Sequence, residues 1–528
     1  MQEHVHREAR RLSLQKSLDS CKTSLERNKL GQFATPAMLA REILSYGLSL
    51  LPEEQAVRFL DPAIGTGSFF SALHETIGSR QLSVADGFEV DRHYGIPAQE
   101  LWAEYGLKIQ LSDFTRAKPP VDGYNLLICN PPYVRHHHLE KNEKQLLQAK
   151  SMAATGIKLS GLSGLYCHFL ALSHSWMSAG GVAGWLIPGE FMDVNYGREI
   201  KRYLLENVTL LRIHRFDPVN VQFDDALVSS AVVWFKKSTP PAGHVVEFTY
   251  GGTHASPAIS RHISIGELSS DTKWTRFPKY EAKAVAETQI LSDFFDIRRG
   301  IATGNNDFFI LSREKIEDLQ LPMEYFQPIL PSPRYVDVDE IRADEQGNPL
   351  LTQSLFLLDC SLTEQEVQAR YPSLWRYLES GREKVASGYL CKSRRLWYLQ
   401  EKRQSTPFIC TYMGRENLRT NHPLRFLLNY SRAIAANTYL MLYPKPFVAR
   451  CITECPELIK TLWRALNEIS AESLIGEGRV YGGGLHKIEP GEMANLPANH
   501  IGKLLAVHSG GCANILPADL GLSFITPA

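Results

Sequence analysis

Long apolar runs are missing from this sequence. No stretch reaches the roughly 18 consecutive apolar residues that a membrane-spanning helix needs, and the first residues lack the apolar core of a secretory signal peptide. We therefore expect a protein that neither crosses a membrane nor has a membrane as its partner.

Cysteine usage excludes a second class of protein. The nine cysteines are scattered along the chain, and the one close pair, Cys451 and Cys455, has no histidine pair at zinc-finger spacing nearby. This distribution predicts reduced thiols in a cytoplasm, with neither a disulfide framework nor a metal site.

Net charge is also absent, because 57 Lys and Arg balance 57 Asp and Glu. The total therefore says nothing about a polyanionic partner, and only the distribution of charge along the chain is informative. The 44% of hydrophobic and 22% of charged residues are typical of a soluble globular protein. A chain of 528 residues is too long for one ordinary core, which predicts two or more domains.

Helical and strand patterns alternate from Thr35 to about residue 236, which predicts a mostly parallel sheet with helices on both faces. Thr35 and Pro36 are typical of a helix start, with Thr as the N-cap and Pro as the first helical residue. The buried stripe of that helix is predicted at Met38, Leu39, Ile43 and Leu44. Strands are predicted at Val57–Leu60, Val84–Val90, Leu107–Leu111, Tyr124–Cys129, Val182–Ile187, Thr209–Phe216 and Ala226–Phe235.

Composition divides the chain further. Residues 1–30 mix charges with Leu at helical spacing and predict an exposed lead-in helix, and residues 31–240 form the α/β domain. Residues 241–290 are richer in Pro, Ser, Thr and Gly, so they are interpreted as a connecting segment. Residues 291–528 mix short strands and helices, and their pattern does not determine a topology.

One predicted strand runs directly into the tetrapeptide Asn130-Pro131-Pro132-Tyr133. The Asn130 side-chain oxygen and the Pro131 carbonyl are two acceptors that can hold both hydrogens of a planar amino group, freeing its nitrogen lone pair to attack a methyl donor. The prolines stiffen the turn, and Tyr133 offers a face on which a flat base can stack. Taken alone, the tetrapeptide also fits a strand that ends in a Pro-Pro turn with a packed Tyr.

A Gly-x-Gly loop follows the first predicted strand. The chain turns through Asp61, Ala63, Gly65 and Gly67 into a helix, whose N-terminus offers donors to a ligand that the glycines allow to approach closely. Phe70 stands where the third glycine of a dinucleotide fingerprint would be. By itself the loop fits phosphate, dinucleotide and adenosyl ligands alike.

Acidic residues follow the next two strands. Glu89 is placed to accept the hydroxyls of a ribose. Asp113 is placed to accept from the amino group of an adenine, while the backbone and ring of Phe114 meet the purine. Together with the loop they describe an adenosine pocket without a phosphate clamp, although each acid alone also fits a solvated strand end.

These segments, in this order, resemble the gamma class of S-adenosylmethionine-dependent DNA amino-methyltransferases, which includes the TaqI-like adenine-N6 enzymes of restriction-modification systems. The resemblance covers roughly residues 30 to 240 and begins with the segment Gly31–Pro36. It implies S-adenosyl-L-methionine as the cofactor. It places Thr35 at the methionine end, Asp61 and Ala63 on the ammonium and carboxylate, Glu89 on the ribose, and Asp113 and Phe114 on the adenine.

The resemblance also implies a fold and a function. The fold is a Rossmann-like methyltransferase domain, a mostly parallel seven-stranded sheet with an antiparallel terminal hairpin, followed by a mixed α+β DNA-recognition domain. The function is site-specific transfer of a methyl group to the adenine N6 of double-stranded DNA, with the base flipped out and stacked on Tyr133 and Phe223. Phe216 is the alternative to Phe223.

The implied enzyme is the modification component of a restriction-modification or related phage-defence system. We expect it to stand alone, because only some thirty residues precede the Thr-Pro helix, and to have a separate restriction endonuclease as its partner. We expect a monomer or weak dimer associated with the nucleoid of a bacterium or archaeon.

The second half carries a basic run that suits a phosphate backbone. Between residues 382 and 450 there are 13 Lys and Arg but 3 Asp and Glu. Two segments, 299–306 and 479–485, also resemble the recognition half of such methyltransferases. DNA contacts are predicted at Arg299, Arg394, Arg395, Lys402, Arg403 and Tyr481. Residues predicted to read or wedge between bases are Trp397, Tyr398, Tyr412, Asn417 and Asn421. A solvated basic face is the alternative interpretation.

Other functions are compatible with parts of the pattern. The same tetrapeptide occurs in methyltransferases that act on a protein glutamine amide or on ribosomal RNA, and cytosine-N4 enzymes more often carry Ser in place of Asn130. A catalytically idle DNA-binding protein with this fold is a further alternative. His136, His137 and His138 are interpreted as a loop that contacts phosphate or covers the substrate, because on an extended segment they point in alternating directions.

Overall fold

The computed structural model describes residues 2–217, 229–271, 273–278, 289–415, 422–481 and 484–508. The chain forms two compact units, Met1–Ala282 with Tyr481–Gly483, and Lys283–Val480 with Gly484–Ala528. Across the described ranges, no helix combines the length and the apolar character that crossing a bilayer requires.

A nine-stranded sheet organises the described part of the first unit. The strands are β1 Val57–Asp61, β2 Leu82–Phe88, β3 Leu107–Gln110, β4 Tyr124–Cys129, β5 Met177–Pro188, β6 Thr209–Arg215, β7 Ser230–Lys236, β8 Val245–Gly252 and β9 Pro257–Ser264. Their order is β3-β2-β1-β4-β5-β7-β6-β8-β9. Strands β1 to β5 pair in parallel, and β7 lies antiparallel between β5 and β6. The predicted Rossmann-like fold with an antiparallel terminal hairpin is confirmed.

The sheet extends beyond the seven predicted strands. Strand β8 pairs in parallel with β6, and β9 pairs antiparallel with β8. Residues 241–290 were predicted to be a connecting segment, but β8 and β9 lie there, and buried Val246, Phe248 and Ile263 join the core of the first unit. The last predicted strand begins at Ser230 among the described residues, since residues 226–228 lie outside them.

Helices cover both faces of this sheet. They are α1 Gln2–Ser20, α2 Ser24–Leu30, α3 Ala37–Ser49, α4 Ser68–Thr76, α5 Arg92–Trp102, α6 Lys141–Thr155, α7 Leu165–Ser173, α8 Arg198–Glu206 and α9 Ile265–Ser270. Strand β4 is buried along its whole length, and its side chains alternate between the two cores. Leu127 and Cys129 pack on one face, while Leu126 and Ile128 pack on the other, as the period of two in a strand requires.

Helix α3 begins one residue later than predicted. Pro36 is its N-cap, the helix starts at Ala37, and no side chain caps it. The Thr35 hydroxyl is therefore not used by the helix. Within the predicted stripe, Leu39, Ile43 and Leu44 are buried, but Met38 is 62% exposed, because it lies on the opposite side of the helix from the sheet.

Helix α1 is not the exposed lead-in that its charges suggest. Arg11 is 1% exposed, because its guanidinium bonds to Glu8 with two nitrogens and donates to the Thr66 hydroxyl at 3.1 Å. On the same helix Asp19 accepts from the Tyr94 phenol at 2.8 Å. Polar side chains hold this helix on the first unit, and for that reason an apolar pattern does not reveal its burial.

The second unit has the mixed α+β content that the sequence predicts. Its strands are β10 Phe295–Arg299, β11 Ile310–Ser312, β12 Phe326–Ile329, β13 Glu340–Ile341, β14 Leu355–Leu358, β15 Phe408–Thr411, β16 Met413–Gly414, β17 Phe426–Asn429, β18 Tyr439–Pro444, β19 Arg479–Tyr481 and β20 Leu485–Lys487. The largest sheet of its described residues has the order β10-β18-β15-β17-β13, a smaller one is β11-β14-β12, and β16 pairs with β20.

Helices surround these sheets. They are α10 Leu291–Phe294, α11 Asn306–Phe309, α12 Arg313–Asp318, α13 Glu364–Arg370, α14 Pro372–Gly381, α15 Tyr389–Lys392, α16 Pro446–Glu454, α17 Leu458–Asn467, α18 Ala471–Glu477, α19 Pro490–Ala494 and α20 Asn499–His508. Two apolar clusters, one on each side of strands β15, β17 and β18, form the core of this unit.

Candidate active site

The predicted site residues of the first unit lie where its parallel strands end. Strands β3, β2, β1 and β4 are neighbours in the sheet, so their carboxyl ends meet at one edge. Asp61 closes β1, Glu89 follows β2, Asp113 follows β3 and Asn130 follows β4. The strand order reverses between β1 and β4, and a ligand crevice forms at such a switch point in open α/β sheets.

The Gly-x-Gly loop adopts a conformation that requires its glycines. Gly65 and Gly67 have φ angles of 55° and 88°, and Gly67 is the residue before α4. A Cβ on Gly67 would lie 2.4 Å from Nε1 of Trp102, which donates to the Thr66 carbonyl at 2.9 Å. A Cβ on Gly65 would meet no atom within 4 Å. The loop is therefore packed on the Trp102 side and open at Gly65.

One buried and one half-buried acid border this loop. Asp61 is 1% exposed, and burial raises its pKa to about 8, with a further increase from Glu89 and an opposing effect of the Ala63 N–H that it accepts at 3.1 Å. Burial also raises the pKa of Glu89, whose carboxylate accepts from the N–H groups of Gly65 and Asp91. No cation of the described residues is among the groups that shift the pKa of Asp61.

The third acid stands at the start of a short helical turn. Asp113 accepts from the backbone and hydroxyl of Thr115, both at 2.8 Å, and lies 3.3 Å from the Arg116 guanidinium. The Phe114 ring is 2% exposed and packs against Phe88 and other aromatic rings of the core. The predicted contact of the Phe114 backbone and ring with a purine stays a prediction.

Asn130 has an amide orientation that its neighbours determine. Its Nδ2 donates to the Phe33 carbonyl at 3.0 Å and to the Thr35 hydroxyl at 3.1 Å. Its Oδ1 is buried and has no hydrogen-bond partner among the described residues. A buried acceptor without a partner costs about 1–3 kcal/mol, and Oδ1 is therefore available to accept a hydrogen bond from a ligand.

The rest of the tetrapeptide is held by both the sheet and the segment before α3. The Tyr133 phenol donates to the Leu186 carbonyl of β5 at 3.0 Å, and burial raises the pKa of Tyr133. Its ring centroid lies 5.6 Å from that of Phe33. Pro131 is buried and Pro132 half-buried. The Tyr133 ring is thereby fixed beside Asn130.

Gly31 contacts the tetrapeptide at its backbone. It is the left-handed cap of α2, with a φ of 65°, and its carbonyl accepts from the Tyr133 N–H at 3.3 Å. A Cβ at Gly31 would lie 2.3 Å from the Tyr133 nitrogen. We call residues 31–35 the anchor segment. The sequence analysis did not predict its contacts. The one feature of the sequence that could have indicated them is the glycine that precedes the Thr-Pro pair.

Two aromatic residues, Phe223 and Phe216, are the candidates for stacking on the second face of a base. Phe223 lies outside the described residues. Phe216 is 3% exposed and its ring packs edge-on against His214 at 4.6 Å, so it is a core residue. The prediction at Phe223 stays a prediction.

The three consecutive histidines form a helical turn rather than the extended segment that was predicted. The rings of His137 and His138 are 4.2 Å apart, and burial and neighbouring cations lower the pKa of His136 and His137. Within the described ranges, no group of three or more His, Cys, Asp or Glu side chains is arranged to hold a metal ion.

The predicted DNA-contact residues differ in how free their charges are. Arg395 and Lys402 are exposed. Arg394 is half-buried and donates to the Ala302 carbonyl at 2.8 Å, and Arg403 is 15% exposed and pairs with Glu401 at 2.6 Å. The two internally bonded arginines therefore stabilise the second unit.

The remaining predicted contacts fall into three groups. Arg299 is exposed, although its Nε donates to the Asn437 carbonyl at 3.0 Å and its guanidinium lies 4.0 Å over the ring of Tyr412. Tyr481 is half-buried at the end of β19. Wedging by the predicted aromatics is contradicted, because Trp397, Tyr398 and Tyr412 are 9%, 0% and 3% exposed. Asn417 and Asn421 lie outside the described residues.

Comparison with known proteins matches both units to one group. Residues 96–222 match the model of the Eco57I restriction-modification methylase, and residues 279–508 match that of the type II methyltransferase M.Eco57I, C-terminal domain. The chain is 27% identical to type II methyltransferase M.XamI of Xanthomonas campestris pv. amaranthicola and 24% identical to M.AccI of Acinetobacter calcoaceticus. Each alignment covers 89% of this chain and 85% of the relative.

Among solved structures, the chain is similar to the type IIL restriction-modification enzyme MmeI in complex with DNA. The identity is 14%, the TM-score is 0.49, and the alignment covers 84% of this chain and 63% of that one.

The contact between Gly31 and Tyr133 predicts a specific cost for Gly31→Ala. Gly78 is the matched control, because its φ is 62° and a Cβ there meets no atom within 4 Å. Gly78→Ala should lower the free energy of unfolding by about 1–2 kcal/mol, the cost of a left-handed L-residue. Gly31→Ala should lose a further ~1–3 kcal/mol through overpacking. Urea denaturation of both variants measures the difference, and equal losses would contradict the contact.

Proposed function

This chain belongs to the gamma-class restriction-modification methyltransferases, and from that membership we propose that it methylates the N6 amino group of an adenine flipped out of double-stranded DNA. DNA methylation follows from the family. The choice of an amino group as the target is supported by one observation above all, the buried Oδ1 of Asn130, which has no partner among the described residues. Asn rather than Ser at position 130 favours adenine N6 over cytosine N4.

S-adenosylmethionine is the cofactor, and the residues at the strand ends fit it. The buried Asp61 carboxyl lacks a cation and suits the ammonium of the methionine part. Glu89 suits the ribose hydroxyls, Asp113 the adenine amino group, and the open side of Gly65 leaves space for the ligand. When bound, the cofactor supplies an electrophilic methyl group on a sulfonium. Ala63 completes the residues that we propose to contact it.

Asn130 and Pro131 are proposed to orient the substrate. Their carbonyl oxygens accept the two hydrogens of the adenine amino group, which leaves the nitrogen lone pair directed at the methyl carbon. The nitrogen–carbon bond then forms as the carbon–sulfur bond breaks, and the surplus proton leaves to solvent. Because the attacking amino group is neutral, no side chain has to act as a base before the transfer.

Stacking and flipping complete the mechanism. Pro132 restricts the backbone beside Tyr133, whose ring is fixed by its bond to Leu186 and offers one face to the base. Phe223 is proposed for the opposite face, each contact contributing about 1–3 kcal/mol. A base paired inside a duplex is out of reach of the strand ends, so the adenine is extruded at a cost of a few kcal/mol.

The second unit is proposed to hold the duplex. Arg395 and Lys402 are its predicted phosphate contacts with exposed charges, and Arg299 adds a third exposed cation. Together with Tyr481, these are the contacts that we retain. A separate endonuclease that cuts the same sequence when it is unmethylated is the biological partner that this function implies.

The proposed function predicts that Asn130→Ala loses methyl transfer while it still binds S-adenosylmethionine. Removing the acceptor should slow transfer by on the order of 100-fold or more, since orienting groups of this kind contribute that much. Asn207→Ala is the control, because Asn207 is also half-buried and donates to a backbone carbonyl, at the opposite edge of the sheet. Tritiated methyl transfer to duplex DNA and calorimetric cofactor binding measure the two properties.

Nucleoside analysis of the labelled product tests the choice of base. The expected product is N6-methyladenine, and sequencing the genomic DNA of an expressing host with detection of modified bases would reveal the recognition site. Labelled N4-methylcytosine, RNA or protein glutamine would each contradict the adenine assignment. Absence of label from every substrate would support an idle binding protein.

The acidity of Asp61 predicts that cofactor affinity depends on pH. Its pKa is about 8 without a cation beside it, and a bound ammonium would lower it, so binding releases a proton. Affinity should therefore rise by roughly tenfold per pH unit between about pH 5.5 and 7.5, a window in which an α-amino group stays protonated. Asp61→Asn should reduce this slope by about one unit. A flat profile of the parent in calorimetry would contradict the ammonium assignment.

Exposed charges in the second unit predict a change in salt dependence. Each phosphate contact contributes about 0.9 to the slope of log K against log salt, so Arg395→Gln combined with Lys402→Gln should reduce the slope by roughly two. Arg382→Gln is the control, since Arg382 already pairs with Glu364 and Glu379 at 3.0 and 2.6 Å. Duplex binding by fluorescence anisotropy over a range of NaCl concentrations measures the slopes. An unchanged slope in the double variant would place the phosphate contacts elsewhere.

A further inference from the structure

The side-chain amide of Asn130 donates two hydrogen bonds, one for each of its protons. One N–H points to the Phe33 carbonyl at 3.0 Å and the other to the Thr35 hydroxyl at 3.1 Å. A carbonyl oxygen accepts and never donates, so the nitrogen and not the oxygen of Asn130 must face Phe33. Turning the amide over would bring two acceptor oxygens to hydrogen-bond distance. The Phe33 carbonyl therefore defines which end of the amide is free.

The hydroxyl of Thr35 is available for this contact because α3 does not use it. The helix starts at Ala37 with Pro36 as its cap, and no side chain caps its first turn. Thr35 is 6% exposed, so the hydroxyl meets Asn130 away from bulk water. The Thr-Pro pair in the sequence suggests that Thr35 caps the helix. Its hydroxyl instead bonds to Asn130, 95 positions further along the chain.

The anchor segment, residues 31–35, is itself fixed on the tetrapeptide. The Gly31 carbonyl accepts from the Tyr133 N–H, and the Phe33 ring packs against the Tyr133 ring. These contacts hold the start and the middle of the segment, and the Thr35 hydroxyl at its end bonds to Asn130. The second amide proton thus has a partner whose own position is restrained.

We propose that Thr35 is a positioning residue for Asn130, which keeps the amide plane directed so that Oδ1 faces the substrate amino group. This role rests on the proposed function, and it differs from the cofactor contact that the family resemblance implies for Thr35. Without the hydroxyl, Asn130 keeps one of its two bonds and rotates about it. The acceptor then leaves the position in which it orients the amino group.

The test compares Thr35→Val, which removes the hydroxyl at similar volume, with Thr35→Ser, which retains it. Thr209→Val is the matched control, because Thr209 is also 6% exposed and its hydroxyl bonds to Ser238 at the opposite edge of the sheet. Single-turnover methyl transfer at saturating S-adenosylmethionine should fall roughly 10- to 100-fold in Thr35→Val. Thr35→Ser should restore most of the rate, and the cofactor dissociation constant should change little in any of the three variants.

A second measurement needs no methyl transfer. In the free full-length protein labelled with ¹⁵N-asparagine, the Asn130 side-chain amide is assigned by its loss in Asn130→Asp. Thr35→Val should speed the solvent exchange of one of its two protons and leave the other protected by the Phe33 carbonyl. Unchanged exchange of both protons would overturn the proposal.

Two kinetic outcomes would also overturn it. A parental transfer rate in Thr35→Val would show that the hydroxyl does not position Asn130. A weaker cofactor dissociation constant with an unchanged rate at saturation would assign Thr35 to the cofactor instead. Failure of the proposed function looks different, because the parent itself would then transfer no methyl group to adenine, while the exchange measurement would still report on the amide.

Discussion

The two hydrogen bonds that Asn130 donates determine what this site is able to hold. Because both amide protons are bound within the protein, only an oxygen faces outward. An acceptor in that place attracts an amino group and repels a carbonyl oxygen. Adenine and cytosine carry an exocyclic amino group where thymine carries an oxygen. Under the proposed function, the anchor segment and the tetrapeptide would thus discriminate between classes of base by the group that faces Oδ1.

The cofactor side of the same edge discriminates by charge. Asp61, Glu89 and Asp113 place three acidic groups at adjacent strand ends, which disfavours the phosphate that a Gly-x-Gly loop alone would accept. The same acids fit a ligand with an ammonium and several hydroxyls. Burial and Glu89 both raise the pKa of Asp61, so under the proposed function a bound ammonium would favour its charged form.

The strands of the first unit and the position of the tetrapeptide at the end of β4 were predictable, because both depend on consecutive residues. β4 begins and ends where its apolar run does. The contacts that orient Asn130 were not, since their partners lie 97 and 95 residues away. Helix α1 was missed because buried Arg11 pairs with Glu8, and such a pair looks like a solvated face in the sequence. β9 was missed because its side chains are mostly exposed.

In the second unit, composition predicted an excess of positive charge between residues 382 and 450. It did not predict which of these side chains bond within the protein and which are exposed. Its strands are short and pair with distant segments, as Phe295 does with Pro444, so local patterns carry little information about the topology. Arg394 and Trp397 turn out to stabilise the unit, whereas Arg395 stays exposed beside them. Since exposed residues contribute little to the core, they are the ones free to change without unfolding it. Recognition of a new DNA sequence is then compatible with an unchanged scaffold and an unchanged Asn130.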